Sequence, residues 1–318
     1  MSISNKRVLI TGGAGFIGSN FVYKFLDLGY QVSTFEREDS NLWRIESIKN
    51  KIEIYSPSLT DYQEVEKIIN EIKPDVVLHF AAYGAYQRFQ QDIAETIDIN
   101  LKGTINLINT CQKAGVECFI QTGSSSEYGI KEKSMQESDV LEADNIYGIT
   151  KSASTLYCQM MAKKHNFPVA IMRPFAVYGP FEEKERLIPT IINSCLKNSD
   201  LQLSSPDSVR DFIFIDDLIS AYLSAIKNIN KIKGEVFNLG YGKQYTVAEV
   251  VALSKEITSS KINPVYGKVK KAQSEPKMWQ SDISKSKKML KWNPQYTLEA
   301  GLKKNIAWFK KNMDLYER

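Results

Sequence analysis

Along the first half of the chain, short apolar runs alternate with longer stretches in which apolar residues recur every three or four positions. The short runs are rich in β-branched residues and predict strands, whereas the longer periodic stretches predict helices. The predicted strands are residues 7–10, 31–35, 52–55, 75–80, 118–122 and 168–172. The predicted helices are residues 16–28, 61–72, 93–114 and 146–165. This alternation predicts a parallel sheet covered by helices.

From about Arg173 the pattern becomes less regular and is interrupted by prolines at positions 174, 180, 189 and 206. Because proline ends helices and is kept out of central strands, this change indicates a second lobe. Residues 211–217 and 235–240 are expected to return to the sheet as strands. Further helices are predicted at 217–226, 247–257 and 298–310.

The composition is that of an ordinary globular protein, with 25% charged and 43% hydrophobic residues in 318. A net charge of +4 is too small to indicate a nucleic-acid partner. The four cysteines have no Cys-x-x-Cys spacing and there are only two histidines, so no metal site is expected. No signal-peptide pattern is present, and no stretch approaches the roughly 20 apolar residues of a membrane span. We therefore expect a soluble, cytoplasmic protein without a membrane partner.

Glycines are spaced three apart between the first predicted strand and the first predicted helix, as Gly12, Gly15 and Gly18. Glycine lets the chain turn tightly and lets its backbone approach a pyrophosphate, which the amides at a helix start can then bind. A glycine-rich turn is also found in ordinary loops, but a strand before it and an amphipathic helix after it favour a dinucleotide site. We predict that these glycines, with Phe16 and Ile17, bind the cofactor.

Glu36 follows the second predicted strand, about 20 residues beyond the glycine turn, where an acid accepts the ribose 2′-hydroxyl of NAD. A carboxylate there would repel the 2′-phosphate of NADP, so NAD is favoured. Arg37 is adjacent and could bind that phosphate instead, with Arg44 nearby, which leaves NADP open. A third interpretation is a solvated run of charges at 36–39.

Tyr147 and Lys151 stand four apart in a predicted helix and so share one face of it. A free tyrosine has a pKa of about 10, and a nearby cation lowers it toward the range of a useful general base. The spacing alone is weak evidence, because Tyr266 and Lys270 repeat it. The first pair follows the cofactor-type elements, and this context favours it for hydride chemistry.

The chain carries a whole ordered series of motifs that resembles the extended short-chain dehydrogenase/reductase family, and within it the NAD-dependent nucleotide-sugar epimerases, dehydratases and reductases. The motifs are TGGAGFIG at 11–18, HFAA at 79–82, NLKGT at 100–104, TGSSSEYG at 122–129, YGITK at 147–151, RPFAVYGP at 173–180 and RDFIFIDD at 210–217. The resemblance implies an α/β fold, a Rossmann-type doubly wound parallel sheet with a smaller C-terminal substrate-binding lobe. The expected domains are 1–174 plus about 211–240 for the dinucleotide, and 175–210 plus about 241–318 for the substrate.

The resemblance also implies roles for individual residues. Tyr147 becomes the acid/base, and Lys151 orients the nicotinamide ribose and lowers the tyrosine pKa. Ser124 matches the residue that hydrogen-bonds the reacting sugar oxygen, with Ser125 and Ser126 as alternatives. Four further residues are implied to line the cofactor, although the first three could belong to the core alone: Phe80, Ala81, Ala82 and Tyr83.

The serines also discriminate between reactions. Sugar 4,6-dehydratases resemble one another in carrying acids where this chain has Ser125 and Ser126, so dehydration is disfavoured. Glu127 is one place too late, and alternation along an extended segment is expected to turn it away from the sugar, toward the surface. A nucleotide-sugar 4-epimerase is favoured; the alternatives are a net 4-dehydrogenase, an NADPH-dependent 4-ketosugar reductase and a non-catalytic dinucleotide sensor.

On the substrate side, Arg210 matches the family position that contacts the diphosphate of the sugar nucleotide, and a planar guanidinium suits that role. The alternative is a surface arginine paired with Asp211. Arg186 is a second phosphate candidate. Ala176 stands where many family members carry an asparagine that touches the substrate, which leaves the position of the nucleotide open.

Three further features complete the expectations. Asp216 and Asp217 precede a helical run and are interpreted as helix caps rather than catalytic acids. Trp279 could stack on a base, but a lone aromatic is more often part of the packing. Family members commonly dimerise through the two helices that here span about 93–114 and 146–165, so a homodimer is expected by analogy.

Overall fold

The computed structural model describes residues 6–85, 92–269 and 276–316. Its strands are β1 Arg7–Thr11, β2 Gln31–Phe35, β3 Glu53–Tyr55, β4 Val76–His79, β5 Cys118–Thr122, β6 Val169–Pro174, β7 Ala176–Tyr178, β8 Gln202–Leu203, β9 Val209–Phe214, β10 Val236–Leu239, β11 Gln244–Thr246 and β12 Val265–Tyr266. Its α-helices are α1 Phe16–Asp27, α2 Tyr62–Ile72, α3 Ile93–Ile97, α4 Thr104–Lys113, α5 Ile146–His165, α6 Leu187–Lys197, α7 Ile215–Asn228, α8 Val247–Thr258 and α9 Leu298–Asn312.

The main sheet has seven parallel strands in the order β10-β6-β5-β4-β1-β2-β3. Its strands are buried on both faces, because side chains alternate between two hydrophobic clusters. In β1, for example, Val8 and Ile10 pack in one cluster with Phe21, while Leu9 packs in the other with Ile69. The predicted Rossmann-type doubly wound α/β fold is confirmed, with all six early strands and the strand predicted at 235–240 in this sheet.

The strand predicted at 211–217 does not join the main sheet, so that prediction is wrong. The segment forms β9, which pairs in parallel with β7 and antiparallel with β11 in a separate three-stranded sheet. The chain then enters α7 directly at Ile215. Apolar alternation predicted the strand, but it carries no information about which sheet the strand joins.

The helix predicted at 93–114 is divided by one π-helical stretch, Asp98–Gly103, between α3 and α4. A π-turn shifts the helix register and often marks a functional site. Here it turns the amide of Asn100 toward the loop that follows β4, where Asn100 accepts a hydrogen bond from the Tyr83 amide at 2.8 Å and donates one to the Tyr83 carbonyl at 2.9 Å. None of the described helices is long and apolar enough to cross a membrane.

Candidate active site

A cleft of about 580 Å³ opens at the carboxyl ends of the central strands, where ligands bind in open parallel sheets. The glycine turn after β1 forms one end of it, and the serine loop after β5 and the start of α5 form its floor. The opposite wall comes from segments at 174–177, 183–186, 210 and 276–279. The sequence-predicted residues that line this cleft are Gly12, Gly15, Phe16, Ile17, Gly18, Phe80, Ala82, Ser124, Ser125, Tyr147, Lys151, Arg186 and Arg210.

The glycine turn requires its glycines for two different reasons. Gly12 has a positive φ of +70°, and a Cβ there would lie 3.1 Å from the amide nitrogen of Ala81. A Cβ on Gly18 would lie 2.1 Å from the carbonyl oxygen of Gly12, so only glycine lets α1 pack against the turn. The N-cap of α1 is Gly15, which offers no side-chain cap. Gly15 therefore provides no side chain to cap the first amides of α1. A helix start that binds an anion needs such uncapped amides.

Glu36 lies beneath this turn rather than in solvent. It is buried, and a Cβ on Gly13 would lie 3.0 Å from its Oε1, an oxygen with no hydrogen-bond partner among the described residues. Burial raises the pKa of Glu36 to about 7, while the nearby amides of Ala14 and Gly13 and the hydroxyl of Thr34 act to lower it. An unpartnered buried acceptor beside a glycine turn fits the ribose hydroxyls of a dinucleotide.

The two arginines considered for a 2′-phosphate point elsewhere. Arg37 is exposed and lies 3.4 Å from Asp39. Arg44 is buried and donates to the carbonyl oxygens of Phe181 at 2.7 Å and Ala14 at 3.3 Å. The interpretation as a solvated run therefore describes Arg37 and Asp39 but is wrong for Glu36.

The four residues at 80–83 divide into two pairs. Phe80 and Ala82 line the cleft, and the ring of Phe80 also packs on Phe21 with centroids 4.6 Å apart, so it serves both the site and the core. Ala81 and Tyr83 are not among the residues that line the cleft. Their amides instead donate to side chains beneath it, at 3.1 Å and 2.8 Å, which anchors the loop behind Gly12.

Tyr147 and Lys151 occupy the first two turns of α5, on the face turned to the cleft. Lys151 is buried; its Nζ donates to the carbonyl oxygen of Thr122 at 2.8 Å and lies 5.7 Å from the centroid of the Tyr147 ring. A Cβ on Gly148 would lie 2.4 Å from the carbonyl oxygen of Ser126, so glycine lets the helix start approach the serine loop. In the repeated Tyr-x-x-x-Lys spacing, Lys270 lies outside the described residues.

The pKa values of this pair differ from the prediction. Burial raises the pKa of Tyr147 to about 12, and a hydrogen bond with the side chain of Ser124 acts to lower it. Burial lowers the pKa of Lys151 to about 8, while the negative charge of Glu127 acts to raise it. The expectation that Lys151 lowers the tyrosine pKa does not hold in this structure, because burial dominates both groups and the ammonium is bound to Thr122.

The serine loop is a short 3₁₀ helix, Ser125–Glu127, capped by Ser124. The hydroxyl oxygen of Ser124 accepts a hydrogen bond from the Ser126 amide at 3.1 Å and lies within hydrogen-bonding reach of Tyr147. Ser125 accepts a bond from the indole of Trp279 at 3.3 Å. Of the three serines, Ser124 is thus the one placed beside the tyrosine.

Glu127 was expected at the surface, and that expectation is wrong. Its side chain is fully buried beneath the serine loop and accepts hydrogen bonds from the Ser124 amide at 2.8 Å, from Thr155 at 2.9 Å and from Arg173 at 2.9 Å. The side chain is turned away from the cleft, as predicted, but the segment is a 3₁₀ helix and not the extended segment from which alternation was argued. The space on that side is protein interior, because helix α5 covers it.

On the substrate side, Arg210 lines the cleft with its guanidinium carbon 5.9 Å from the centroid of the Trp279 ring. The alternative pairing with Asp211 is not observed. Asp211 is fully buried and accepts hydrogen bonds from the amides of Tyr241 at 2.7 Å and Gly242 at 3.0 Å, and from the amide and hydroxyl of Ser281.

Arg186 also lines the cleft and lies 3.5 Å from Glu182, a buried acid four residues earlier in the chain. Glu183, which shares the cleft wall, forms an ion pair with Arg44 at 3.1 Å. Ala176 lines the same wall, so a methyl group stands where many family members carry an asparagine. The positive charge on this wall is thus accompanied by two carboxylates.

Asp216 and Asp217 do not cap a helix. Phe214 is the N-cap of α7 and makes no side-chain capping bond. Asp216 pairs with Lys304 of α9, and Asp217 accepts the amides of Gln295 at 2.8 Å and Tyr296 at 2.9 Å. Both acids tie α7 to the C-terminal part of the chain, so the capping interpretation is wrong, and neither is among the residues that line the cleft.

Comparisons with known proteins agree with this geometry. Residues 8–240 match the model of the NAD dependent epimerase/dehydratase family. Among curated proteins, the chain is 29% identical to dTDP-D-glucose 4,6-dehydratase of Mus musculus, over 96% of this chain and 89% of that protein. It is 26% identical to UDP-glucuronate 4-epimerase of Thermodesulfobacterium geofontis, over 96% and 97%.

Solved structures give the same result. UDP-glucose 4-epimerase of Thermotoga maritima, solved with UDP-glucose, superposes with a TM-score of 0.88 at 28% identity, covering 96% of this chain and 99% of that one. UDP-glucuronic acid 4-epimerase of Bacillus cereus, solved with UDP-glucuronic acid and NAD, gives 0.85 at 26% identity, with the same coverage of 96% and 99%.

Proposed function

The chain belongs to the NAD dependent epimerase/dehydratase family, and we propose that it is an NAD-dependent 4-epimerase of a nucleoside diphosphate sugar. One observation carries the choice of reaction. Ser124 and Tyr147 lie together at the floor of the cleft, and the residues after Ser124, where a dehydratase would carry acids, are Ser125 and Ser126. Ser124 and Tyr147 therefore offer groups for moving one proton, without acids at positions 125 and 126 for eliminating water.

The glycine turn and Glu36 are the residues that would hold NAD. The uncapped start of α1 suits the pyrophosphate, and the unpartnered Oε1 of Glu36 suits the ribose hydroxyls. Bound there, NAD supplies a reversible hydride acceptor. Arg37 pairs with Asp39 instead of facing the turn, which supports NAD over NADP.

Each catalytic residue has a separate task in this proposal. In its ionised form, Tyr147 takes the proton of the sugar C4 hydroxyl as C4 is oxidised, and the resulting phenol returns the proton after the sugar has presented its other face. The hydroxyl of Ser124 donates a hydrogen bond to the same sugar oxygen while charge develops on it. Lys151 holds the ribose and supplies a buried positive charge one turn away from Tyr147.

Arg210 and Arg186 are proposed to bind the diphosphate and keep the sugar over the serine loop. Both line the cleft, and Arg210 lies beside Trp279, whose ring can cover the nucleotide. The UDP-sugars bound in the structures of the Thermotoga and Bacillus enzymes support this class of substrate.

The experiment is to incubate the purified protein with UDP-glucose, UDP-glucuronic acid, UDP-N-acetylglucosamine and dTDP-glucose without added cofactor. We expect one of them to be converted to its 4-epimer. Stoichiometric consumption of NAD or NADPH would instead identify a net dehydrogenase or reductase. Tyr147→Phe should lower turnover about 100- to 10,000-fold, whereas the matched control Tyr266→Phe should not. A Tyr147→Phe variant with normal turnover would contradict the acid/base assignment.

We further propose a homodimer through α3, the adjoining π-helical stretch and α5, which pack side by side. Four large apolar side chains are more than a third exposed on α3 and α5: Ile93 at 58%, Ile97 at 40%, Ile149 at 51% and Leu156 at 60%. Leu156→Arg should yield a monomer in analytical ultracentrifugation, and Val265→Arg, at an exposed site elsewhere, should not. A wild-type monomer would contradict the proposal.

A further inference from the structure

Beneath the floor of the cleft lies a fully buried carboxylate that the proposed function does not use, that of Glu127. We infer that Glu127 is a positioning residue, whose carboxylate fixes Ser124 at the cleft floor and places a negative charge, paired with Arg173, behind Tyr147 and Lys151. The inference rests on the proposed function of that site. Glu127 does not line the cleft, so its action is through the residues that do.

The contact with Ser124 is direct. Oε1 of Glu127 accepts the backbone amide of Ser124 at 2.8 Å, which fixes the residue at the point where the chain leaves β5 and enters the serine loop. A Cβ on Gly123 would lie 2.4 Å from the same oxygen, so the carboxylate reaches this amide only because Gly123 has no side chain. A displaced Glu127 would release the backbone that carries the catalytic hydroxyl.

The charge of Glu127 is compensated on its far side. Oε2 accepts hydrogen bonds from Nε of Arg173 at 2.9 Å and from the Thr155 hydroxyl at 2.9 Å, and it forms an ion pair with Nη2 of Arg173 at 2.8 Å. Arg173 is itself 2% exposed. Two guanidinium bonds, a hydroxyl and an amide provide the complete set of donors that a buried carboxylate needs.

The network continues from Arg173 toward the substrate side. Nη1 of Arg173 donates to the hydroxyl of Tyr128 at 2.9 Å, and that hydroxyl donates to Asn238 at 2.7 Å. The side-chain amide of Asn238 donates to the Met135 carbonyl at 2.8 Å, and the Met135 amide donates to Gln280, next to Trp279. Buried hydrogen bonds thus connect the position of Ser124 to the opposite wall.

Electrostatics supports the inference. Burial raises the pKa of Tyr147, and the charge of Glu127 raises it further. Burial lowers the pKa of Lys151, and Glu127 opposes that effect. The other ionisable groups facing Glu127 are Arg173 and Tyr128 on its far side and Cys158 on α5. Removal of the charge should therefore lower the pKa values of Tyr147 and Lys151 together.

Two substitutions separate position from charge. Glu127→Gln removes the charge and keeps the size, and Glu127→Asp keeps the charge and shortens the reach to Ser124. For Glu127→Gln we expect kcat to fall about 10- to 100-fold, with KM for the sugar nucleotide changed less than about threefold. We also expect the acidic limb of the pH dependence of kcat to move down by about one pH unit. Glu127→Asp should lower kcat without moving that limb.

The control is Glu249→Gln, because Glu249 accepts the N-cap amide of α8 at 2.7 Å in the same type of capping box, away from the cleft. It should leave kcat and the pH profile unchanged. A folded Glu127→Gln variant with the wild-type kcat and pH profile would overturn the inference, as would wild-type kcat in Glu127→Asp if the amide variant does not fold. If wild-type protein turns over and Tyr147→Phe does not, the proposed function stands regardless of either result.

Discussion

The cleft has a catalytic wall, formed by the serine loop and the start of α5 at its floor, and a facing wall around residues 179–186. Each contains a buried glutamate, and these glutamates are held in opposite ways. Beneath the serine loop, Glu127 receives hydrogen bonds on both oxygens and an ion pair with Arg173 at 2.8 Å. On the facing wall, Glu182 is 3% exposed, its Oε2 has no hydrogen-bond partner among the described residues, and its ion pair with Arg186 is longer, at 3.5 Å. Burial raises the pKa of Glu182 to about 8, against the influence of Arg186.

The difference between the two glutamates shows how each wall is stabilised. A buried acid stays charged only where donors replace its lost water, and otherwise it takes up a proton. The catalytic wall is therefore held by charge. Around Glu182 itself, the wall at residues 179–186 is held mainly by packing and backbone contacts: the ring of Phe181 stacks on Tyr23 at 5.5 Å, and Arg44 donates to the Phe181 carbonyl. The shorter ion pair of this wall, Arg44 with Glu183 at 3.1 Å, does not involve Glu182.

The largest loss of stability is expected for Arg173→Met, which tests whether the catalytic wall is held by charge. It leaves the carboxylate of Glu127 buried without its cation, so we expect the free energy of unfolding at pH 7 to fall by about 3–5 kcal/mol. Urea denaturation measures this change. Adding Glu127→Gln to the same chain should recover part of the loss. A loss below about 1 kcal/mol would mean that the catalytic wall is not held by charge.

The stability that Glu182 contributes to the facing wall should instead depend on pH. Because the pKa of Glu182 is raised to about 8 from its ordinary value of 4.5, its stabilising protonation is fully present below pH 4.5 and is lost as pH rises through 8. Glu182→Gln should therefore be more stable than wild type at pH 9, by about 3–5 kcal/mol, and nearly equal to it at pH 4. Thermal melting at both pH values tests this. Equal melting temperatures at pH 9 would show that Glu182 does not titrate there.

Glu36 is a third buried carboxylate. It resembles Glu182 rather than Glu127, because one of its oxygens has no hydrogen-bond partner among the described residues. Its pKa is raised to about 7, so it loses its proton between pH 6 and 8, and we expect the ionised form to be the better acceptor for the proposed bonds from the ribose hydroxyls. The affinity for NAD, measured by calorimetry, should rise up to about tenfold over that interval. Glu36→Gln should bind NAD more weakly and without this rise. A pH-independent wild-type affinity would contradict the assignment.

The smallest effect is expected for Arg186→Met, the counterpart of Arg173→Met on the other wall. The Arg186 side chain is 42% exposed, and such a pair contributes less than about 1 kcal/mol to stability. Denaturation of both Arg→Met variants under one set of conditions gives the comparison directly. Equal losses in the two variants would remove the distinction between the walls.

The catalytic wall was the more predictable from sequence, for a physical reason. Parallel strands covered on both faces are continuous apolar runs, and the glycine turn has few conformational alternatives. Ser124, Tyr147 and Lys151 lie at the ends of such elements, so their convergence follows from the fold. Their pKa values do not, because burial by residues distant in sequence determines them.

The other wall was less predictable because its residues are held by contacts between segments far apart in the chain. Asp211 binds the amides of Tyr241, Gly242 and Ser281, and Asp217 binds those of Gln295 and Tyr296. No local pattern encodes such partners. The error on Glu127 has the same origin, since alternation states which way a side chain points but not what covers it.

The position of β10 at the edge of the main sheet has a consequence for the folding of the chain. The strand pairs with β6, although β7, β8 and β9 lie between them in sequence, and it carries Asn238 of the buried network. During synthesis, the edge of β6 therefore remains unpaired until residue 239 has left the ribosome. We expect the amides of β10 to gain protection late in pulsed hydrogen exchange, so that the support of the catalytic serine is among the last parts of the protein to form.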